Sequence, residues 1–308
     1  MSSPATARRP TDVDLSVRIG TLLFSNPVIA ASGTFAYGIE FANLVDLNIL
    51  GGIVVKGLSA RPMEGAPAPR LCETAGGMIN AVGLQNMGVR RFVAEKLPQL
   101  HKYRTQIIAN VFGHTIAEYC EVIDVLEGAE GVAAYELNIS CPNVDCGGAE
   151  FGANPDLAAQ LIAQSRKRAT RPLWVKLAPN SEAQAVAGIA EAEGADALTV
   201  ANTYPAMALD PRTGQSRLGR MSGGLSGPAI KPLTQKLVYD VSRAAHLPII
   251  GLGGIQSGYD VVEYLRLGAT AIQVGTAHFS DPKASSRVVD ELRHHLIALN
   301  VSKISDLR

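Results

Sequence analysis

Eight short apolar runs recur along this chain, and the segments between them carry apolar residues at helical spacing. The runs cover residues 27–31, 52–56, 106–111, 135–139, 173–177, 197–201, 248–252 and 271–274. Nearly continuous apolar strands are typical of a parallel sheet that helices cover on both faces. Because eight repeats are enough to close such a sheet, the sequence predicts an α/β fold, a (β/α)8 TIM barrel.

An open, doubly wound sheet is the alternative architecture for alternating strands and helices. Such sheets commonly begin with a GxGxxG dinucleotide fingerprint, and this motif does not occur in the sequence. The barrel is therefore favoured, and we expect residues 1–308 to form one domain, with residues 1–12 flexible. The sequence also predicts a short N-terminal hairpin within residues 14–24 and insertions at the mouth of the barrel at 59–100 and 203–226.

Charge and composition argue against several classes of partner. Lysine and arginine number 28, as do aspartate and glutamate, so no net field draws the chain to nucleic acid or to an anionic membrane. No run approaches the roughly 18 apolar residues of a membrane span, and the polar start has no signal peptide. We expect a cytoplasmic protein with neither kind of partner. The cysteines, histidines and acidic residues show no metal-ligand spacing, so no metal site is predicted.

Polar residues close five of the predicted strands, at the end where barrel enzymes carry their active sites. They are Lys56, Asn110, Asn138, Lys176 and Asn202. A single lysine or asparagine at a strand end is commonly just solvated. Two lysines and three amides that converge on one mouth would instead bind a planar, oxygen-rich anion.

Glycine-rich turns follow the last two predicted strands, where barrels frequently bind phosphate through backbone N–H groups. These turns are residues 251–258 and 275–276, and a third glycine-rich stretch covers residues 222–227. The alternative is that the glycines only allow tight turns. Two such turns at the expected pair of strands indicate a phosphorylated ligand.

The motif NISCPN, residues 138–143, leads from the fourth predicted strand into a glycine-rich loop. Its cysteine, Cys141, is expected at the mouth, where a thiol can act as a nucleophile or a general base. A buried packing role is the alternative, and it describes Cys120, inside a helical pattern, better than Cys141. The glycines after Cys141 suggest a lid that closes over a substrate. We assign no role to Cys146 in that loop.

Taken together, these motifs resemble the dihydroorotate dehydrogenase family of flavoprotein barrels, which oxidise dihydroorotate to orotate in pyrimidine synthesis. The resemblance extends through most of the chain. It is carried by NPV 26–28, ASGT 31–34, VVKG 54–57, PRL 69–71, NAVGLQN 80–86, LNISCPN 137–143, WVKL 174–177, ANT 201–203, GLSG 224–227 and GLGGI 251–255.

The resemblance implies roles for individual residues. The catalytic residues would be Cys141, the base that takes the C5 proton while hydride leaves C6 for N5 of FMN, and Lys56. Substrate would be bound by Lys56, Asn80, Gly83, Leu84, Asn138, Asn143, Asn202 and Thr203. One FMN per chain would be bound by Ala31, Ser32, Gly33, Lys56, Asn110, Asn138, Lys176, Gly227, Gly253, Gly254, Gly275 and Thr276.

Within that family, the sequence is most similar to the cytosolic, NAD-linked class 1B. The membrane-bound class has serine where Cys141 stands, and the fumarate-linked class 1A has methionine where Val82 stands. Class 1B implies a homodimer that joins an electron-transfer subunit carrying FAD and a 2Fe-2S cluster, forming a heterotetramer. The alternatives are class 1A, another FMN barrel that acts on pyrimidines, and a non-catalytic phosphate-binding barrel.

Overall fold

Eight parallel strands close into a barrel in the computed structural model of the chain, which describes residues 13–140, 142–143 and 149–307. The strands are β1 Val17–Ile19, β2 Leu22–Phe24, β3 Val28–Ala30, β4 Gly52–Val54, β5 Leu71–Thr74, β6 Gly77–Asn80, β7 Gln106–Val111, β8 Ala134–Asn138, β9 Pro142–Asn143, β10 Ala149–Glu150, β11 Leu173–Lys176, β12 Ala197–Val200, β13 Tyr204–Ala206, β14 Gly223–Ser226, β15 Ile249–Leu252 and β16 Ala271–Val274. The barrel order is β3-β4-β7-β8-β11-β12-β15-β16, and β16 pairs with β3 to close it. The predicted TIM barrel is confirmed, and each predicted apolar run overlaps one barrel strand.

Helices form the outer layer of the barrel. They are α1 Val89–Glu95, α2 Leu97–Leu100, α3 Ile116–Glu127, α4 Pro155–Arg168, α5 Ala183–Ala192, α6 Lys231–Ala244, α7 Gly258–Arg266, α8 Ala277–Ser280 and α9 Ala284–Ala298. Helices α3, α4 and α7 begin after Thr115, Asn154 and Ser257, whose side chains accept hydrogen bonds from backbone N–H groups of the first turn. Among the residues described, no helix has the length and apolar character required to cross a membrane.

The N-terminal hairpin packs where the barrel strands begin. Strands β1 and β2 pair antiparallel, with Val17 opposite Phe24, which confirms the predicted hairpin. Phe24 is fully buried, and its ring centroid lies 6.1 Å from that of Trp174. A Cβ at Gly52 would come within 3.2 Å of the Phe24 ring, so the absence of a side chain there lets the hairpin pack closely. Apolar side chains therefore occupy the end of the barrel opposite to the predicted polar residues.

The two insertions meet in one antiparallel sheet with the order β13-β14-β6-β5. In this sheet Gly224 of β14 lies opposite Asn80 of β6. Because the insertions follow the ends of β4 and β12, the sheet stands at the mouth of the barrel. A small apolar cluster of its own consists of Cys72, Ile79, Ala81 and Leu218.

The structure divides the first insertion, predicted at 59–100, into two parts. Strands β5 and β6 belong to the sheet at the mouth, whereas α1 and α2 form the helical segment that precedes β7. Helix α1 packs on α3, and its residues Val89 and Phe92 are fully buried in the main core. The insertion is therefore shorter than predicted, because the apolar spacing of Val89 and Phe92 is that of a helix packed on the barrel.

Candidate active site

The five polar residues predicted at strand ends line one cavity of about 500 Å³, which we call the lysine cavity. Asn110, Asn138 and Lys176 lie in the last residues of β7, β8 and β11, and Lys56 and Asn202 follow β4 and β12. All strands of a parallel barrel end at the same face. Residues far apart in the sequence therefore converge at the mouth.

A second cavity of about 530 Å³ adjoins the first, and we call it the glycine cavity. It is lined by the predicted phosphate-site residues Gly227, Gly253, Gly254, Gly275 and Thr276. The two cavities share the lining residues Met78, Asn202, Thr203, Ser226 and Phe279. They form one joined recess, which suits an extended ligand with two chemically different ends.

The other predicted site residues differ in what the structure describes. Ala31 is buried, donates its N–H to the carbonyl oxygen of Val274 at 2.8 Å, and lines neither cavity. Cys141 and Cys146 lie outside the described residues, and only the backbone of Asn143 is described, in β9. The further predicted residues that line the lysine cavity are Ser32, Gly33, Asn80, Gly83, Leu84 and Thr203.

Two lysine side chains dominate the electrostatics of the lysine cavity. Burial lowers the pKa of Lys56, and the neighbouring charge of Lys176 lowers it further. Burial also lowers the pKa of Lys176, which is 6% exposed, while Glu136 opposes that shift. Neither ammonium forms a hydrogen bond or ion pair with another described residue. A buried and a partly buried cation, neither with a bonded partner among the described residues, favour an anionic or carbonyl-rich ligand.

Hydrogen bonds orient the amides of the lysine cavity. Asn202 donates from Nδ2 to Oδ1 of Asn138 at 3.0 Å, and the Tyr119 hydroxyl donates to the Asn138 carbonyl oxygen at 2.6 Å. Asn80 donates from Nδ2 to the carbonyl oxygen of Gly224 at 3.1 Å. Asn138 therefore has its NH2 group, and Asn80 its amide oxygen, as the part of the side chain that can bind a ligand.

The loop that follows β6 has left-handed backbone at two successive residues, Gly83 with φ 71° and Leu84 with φ 59°. A Cβ at Gly83 would lie 2.4 Å from the backbone nitrogen of Ala66, so only glycine fits. Ala66 donates to the carbonyl oxygen of Val82 at 3.0 Å. A left-handed leucine persists only where its surroundings hold it. The loop is therefore a rigid wall of the lysine cavity.

The turns of the glycine cavity present free backbone N–H groups. Those of Gly253, Gly254, Gly275 and Thr276 donate no hydrogen bond to any residue in the described ranges. Gly254 has φ 68°, and a Cβ there would lie 2.6 Å from Cβ of Lys231, so the turn requires glycine. Clusters of free N–H groups of this kind bind phosphate.

His278 supports one of these turns. Its Nδ1 donates to the carbonyl oxygen of Gly275 at 3.0 Å, and the hydroxyl of Ser285 donates to its Nε2 at 2.8 Å. Burial lowers the pKa of His278 to about 4, so the ring is neutral near pH 7. The role of His278 is therefore to hold the Gly275 turn in place.

Sequence reasoning missed several residues that line the lysine cavity. The Ser140 hydroxyl oxygen is buried and has no hydrogen-bond partner among the described residues. Arg220 adds a third cation to the cavity, where Glu150 is the carboxylate among the described lining residues. No motif marks Arg220, since it lies in a polar stretch of the second insertion. Other missed lining residues include Met78 and Phe279.

Known proteins match this chain over nearly its whole length. The family model for dihydroorotate dehydrogenase matches residues 14–296. A protein of Solibacter usitatus named putative dihydroorotate dehydrogenase A (fumarate) is 53% identical over 294 residues, which are 95% of this chain and 97% of that protein. The dihydroorotate dehydrogenase B (NAD(+)) catalytic subunit of Thermodesulfovibrio yellowstonii is 49% identical with the same coverage. That of Citrifermentans bemidjiense is 45% identical over 295 residues, 96% of this chain and 97% of that subunit.

Proposed function

The chain belongs to the dihydroorotate dehydrogenase family, and on this premise we propose that it oxidises dihydroorotate to orotate in pyrimidine synthesis with one bound FMN. The joined recess carries the proposal, because its two ends differ in chemistry. Lysines and amides lie at one end, and free backbone N–H groups lie at the other. FMN has matching ends, a planar ring rich in carbonyl and nitrogen atoms and an anionic phosphate.

The residues of the recess fit FMN on two observations. The Lys176 ammonium and the buried Ser140 hydroxyl have no hydrogen-bond partner among the described residues at the ring end. At the other end, the free backbone N–H groups can donate hydrogen bonds to an anion. In this proposal the ring would be held by Ser32, Gly33, Lys56, Asn110, Asn138 and Lys176, and the phosphate by Gly227, Gly253, Gly254, Gly275 and Thr276. Ala31 lines neither cavity and would act only as the residue that precedes Ser32. When bound, FMN supplies the acceptor for the hydride that leaves C6 of the substrate.

The chain's own residues bind and orient the substrate. Backbone N–H groups of the rigid 80–84 loop and the Lys56 ammonium bind the carboxylate and ring oxygens, which is the pairing expected for an anion. The side chains that hydrogen-bond to the pyrimidine ring are Asn80, Asn138, Asn143, Asn202 and Thr203. These contacts select a ligand with both a carboxylate and a cyclic amide.

Cys141 removes the C5 proton of the substrate in this proposal. Asn138 and Ser140, which precede Cys141 in the sequence, line the lysine cavity, and this supports the assignment. A thiol exchanges protons near neutral pH far more readily than a hydroxyl does.

We also propose that electrons pass to NAD through a separate subunit that carries FAD and a 2Fe-2S cluster, in a cytoplasmic heterotetramer built on a homodimer. Several relatives of this chain bear the name of an NAD(+)-linked catalytic subunit, a name that implies another subunit. The second candidate is direct reduction of fumarate, which the name of the Solibacter usitatus relative supports.

A flavin spectrum tests the central proposal. The purified chain is expected to bind one FMN, and dihydroorotate is expected to bleach the visible flavin band under anaerobic conditions. Uracil, dihydrouracil and NADPH serve as controls and should leave the band unchanged. Bleaching by dihydrouracil or NADPH would assign the chain to another kind of FMN barrel, and failure to bind FMN would leave only a phosphate-binding barrel.

Replacing Lys56 by alanine is expected to weaken orotate binding and slow flavin reduction together, each by roughly tenfold to hundredfold. A hydrogen bond to a charged group contributes about 1.5–3 kcal/mol, which corresponds to that range. Orotate titration and stopped-flow reduction measure the two effects. Lys236→Ala is the matched control, because Lys236 is exposed on α6 and pairs with Asp240 away from the recess. Normal affinity and rate in Lys56→Ala would mean that Lys56 only solvates a strand end.

A further inference from the structure

A carboxylate lies in the interior of the barrel below the mouth. Glu136 sits in the middle of β8, and its side chain is completely buried. The buried charged side chains among the described residues are Glu136, Lys176 and Asp260. Asp260 is paired with Lys231 at 2.6 Å on the outer side of the barrel. Glu136 and Lys176 are therefore left as the two opposite charges inside the barrel.

Three donors hold the Glu136 carboxylate in place. Asn110 donates from Nδ2 to Oε1 at 2.8 Å, the Thr199 hydroxyl donates to Oε2 at 2.7 Å, and Gln273 donates from Nε2 to Oε2 at 2.6 Å. These residues come from β7, β12 and β16, so Glu136 ties together strands from around the barrel. An ion needs this many partners to be tolerated away from water.

One of these bonds sets the direction of a residue that we assign to the FMN ring. Because Asn110 donates its NH2 group to Glu136, its amide oxygen is left on the other side. A Cβ at Gly57 would lie 2.9 Å from this Oδ1, so the oxygen lies against bare backbone at the mouth. Asn110 therefore presents an acceptor to the lysine cavity.

Lys176 is the buried cation that can act as a counter-charge for Glu136. It lies in β11, next to β8, and its register neighbour on the other side is Thr199, which is bonded to Glu136. The two charges are not in direct contact, since no ion pair within 4.0 Å joins them. Burial lowers the pKa of Lys176 and Glu136 raises it. Because both side chains are buried, the charge of Glu136 acts on Lys176 with little screening by solvent.

Other charged groups face the same cavity. The charge of Lys176 lowers the pKa of Lys56, Arg220 is a further cation, and Glu150 is exposed. Water and salt screen an exposed carboxylate strongly. Among the described residues, Glu136 is therefore the group that can offset the buried charge of Lys176.

We propose that Glu136 is a positioning residue for the flavin site: it is the buried counter-charge that keeps Lys176 protonated, and it aims the amide oxygen of Asn110 at the mouth. This inference rests on the proposed binding of FMN. Glu136 itself touches neither FMN nor substrate and acts through the two residues that do. Without its charge, the pKa of the buried Lys176 falls further, and the side chain becomes easier to deprotonate and a weaker donor to the flavin.

A double-substitution cycle on the FMN-free chain tests the coupling of the two charges. Lys176→Met leaves a buried carboxylate unpaired, and Glu136→Gln leaves a buried ammonium unpaired, so each variant should melt at a lower temperature than the wild type. Glutamine keeps the size of the side chain. Gln273 has a buried Oε1 with no partner among the described residues, and a flip of the Gln273 amide lets this oxygen accept from the NH2 group introduced at position 136. The double variant is expected to melt above both single variants, because it buries neither charge.

The second measurement is the pH dependence of FMN affinity between about pH 7 and pH 9, where the phosphate is already largely ionised. The wild-type profile is the reference, because the pKa of Lys56 is lowered as well and Lys56 is present in every variant. FMN affinity of Glu136→Gln should fall more steeply with rising pH than that of the wild type, because the further lowering of the Lys176 pKa makes its ammonium lose its proton more readily. Lys176→Met should bind FMN weakly at every pH, since methionine has no ammonium that could donate to the flavin.

Glu127→Gln is the matched control for both measurements. Glu127 ends α3, and its carboxylate accepts hydrogen bonds from Thr170 and Tyr135 away from the recess. This variant should melt earlier and still bind FMN with the pH profile of the wild type. Purely additive melting shifts in the cycle, or a pH profile in Glu136→Gln no steeper than that of the wild type, would overturn the proposal. If the wild type binds no FMN, the proposed function fails, whereas the melting cycle still decides whether the charges are coupled.

Discussion

Replacing Cys141 by serine is expected to slow flavin reduction by dihydroorotate at least about a hundredfold near pH 7, with FMN and orotate still bound. This is the usual contribution of a general base, about 2.7 kcal/mol of activation free energy. A serine hydroxyl is a much weaker acid than a thiol, so it is almost entirely un-ionised at neutral pH. The un-ionised hydroxyl is a poor acceptor for the C5 proton. The rate should therefore recover only in alkaline solution. Stopped-flow absorbance of the flavin band at a series of pH values measures both the loss and its recovery.

Cys120→Ser is the control for this experiment. Cys120 is a buried thiol in α3, and burial raises its pKa, so it has no part in proton transfer. This variant should reduce its flavin at the wild-type rate, although it melts earlier. An unchanged rate in Cys141→Ser near neutral pH, or full activity in Cys141→Ala, would remove Cys141 from the mechanism.

The purified chain alone is expected to produce no NADH from dihydroorotate, although it reduces artificial acceptors or oxygen. It has no GxGxxG motif for a dinucleotide, and its four cysteines, at positions 72, 120, 141 and 146, do not have ferredoxin spacing. NADH formation should begin only when a subunit with FAD and a 2Fe-2S cluster is added. Absorbance of NADH at saturating dihydroorotate, with and without proteins copurified from the source cell, measures this all-or-none effect.

Fumarate is the decisive control acceptor. The relatives of this chain include one named for fumarate and several named for NAD(+) at similar identity. Efficient turnover with fumarate by the chain alone would assign it to the fumarate-linked class, despite Val82. Steady NADH formation by the chain alone would contradict both assignments, since it would require a nucleotide site that we do not propose here.

The barrel itself was predictable because a strand that is buried on both faces consists of a few consecutive apolar residues. The runs at 106–111 and 271–274 coincide with β7 and β16 residue for residue. Convergence of Lys56, Asn110 and Lys176 was predictable as well, since closing a parallel barrel brings all strand ends to one face. The end of the first insertion was not, because the sequence pattern alone did not separate helix α1 from the loop that precedes it.

The role of Glu136 could not be predicted from the sequence. It lies inside the predicted run 135–139, which indicates a buried strand and so leaves a charged residue unexplained. Its partners Thr199 and Gln273 are 63 and 137 residues further along the chain. Nothing in the spacing of any of the three residues indicates that they meet. The carboxylate became interpretable only when the closed barrel placed its donors around it.

The sequence by itself determined the fold class, the family and the glycine turns, because each of these depends on residues that are neighbours along the chain. The tertiary structure decided which side chains meet: the joined recess, the cation Arg220 at its wall and the buried pair of Glu136 and Lys176. The physical reason is that apolar periodicity records how deeply each residue is buried. Hydrogen bonds and charge interactions depend instead on distances between pairs of atoms, and those distances exist only after the barrel has closed.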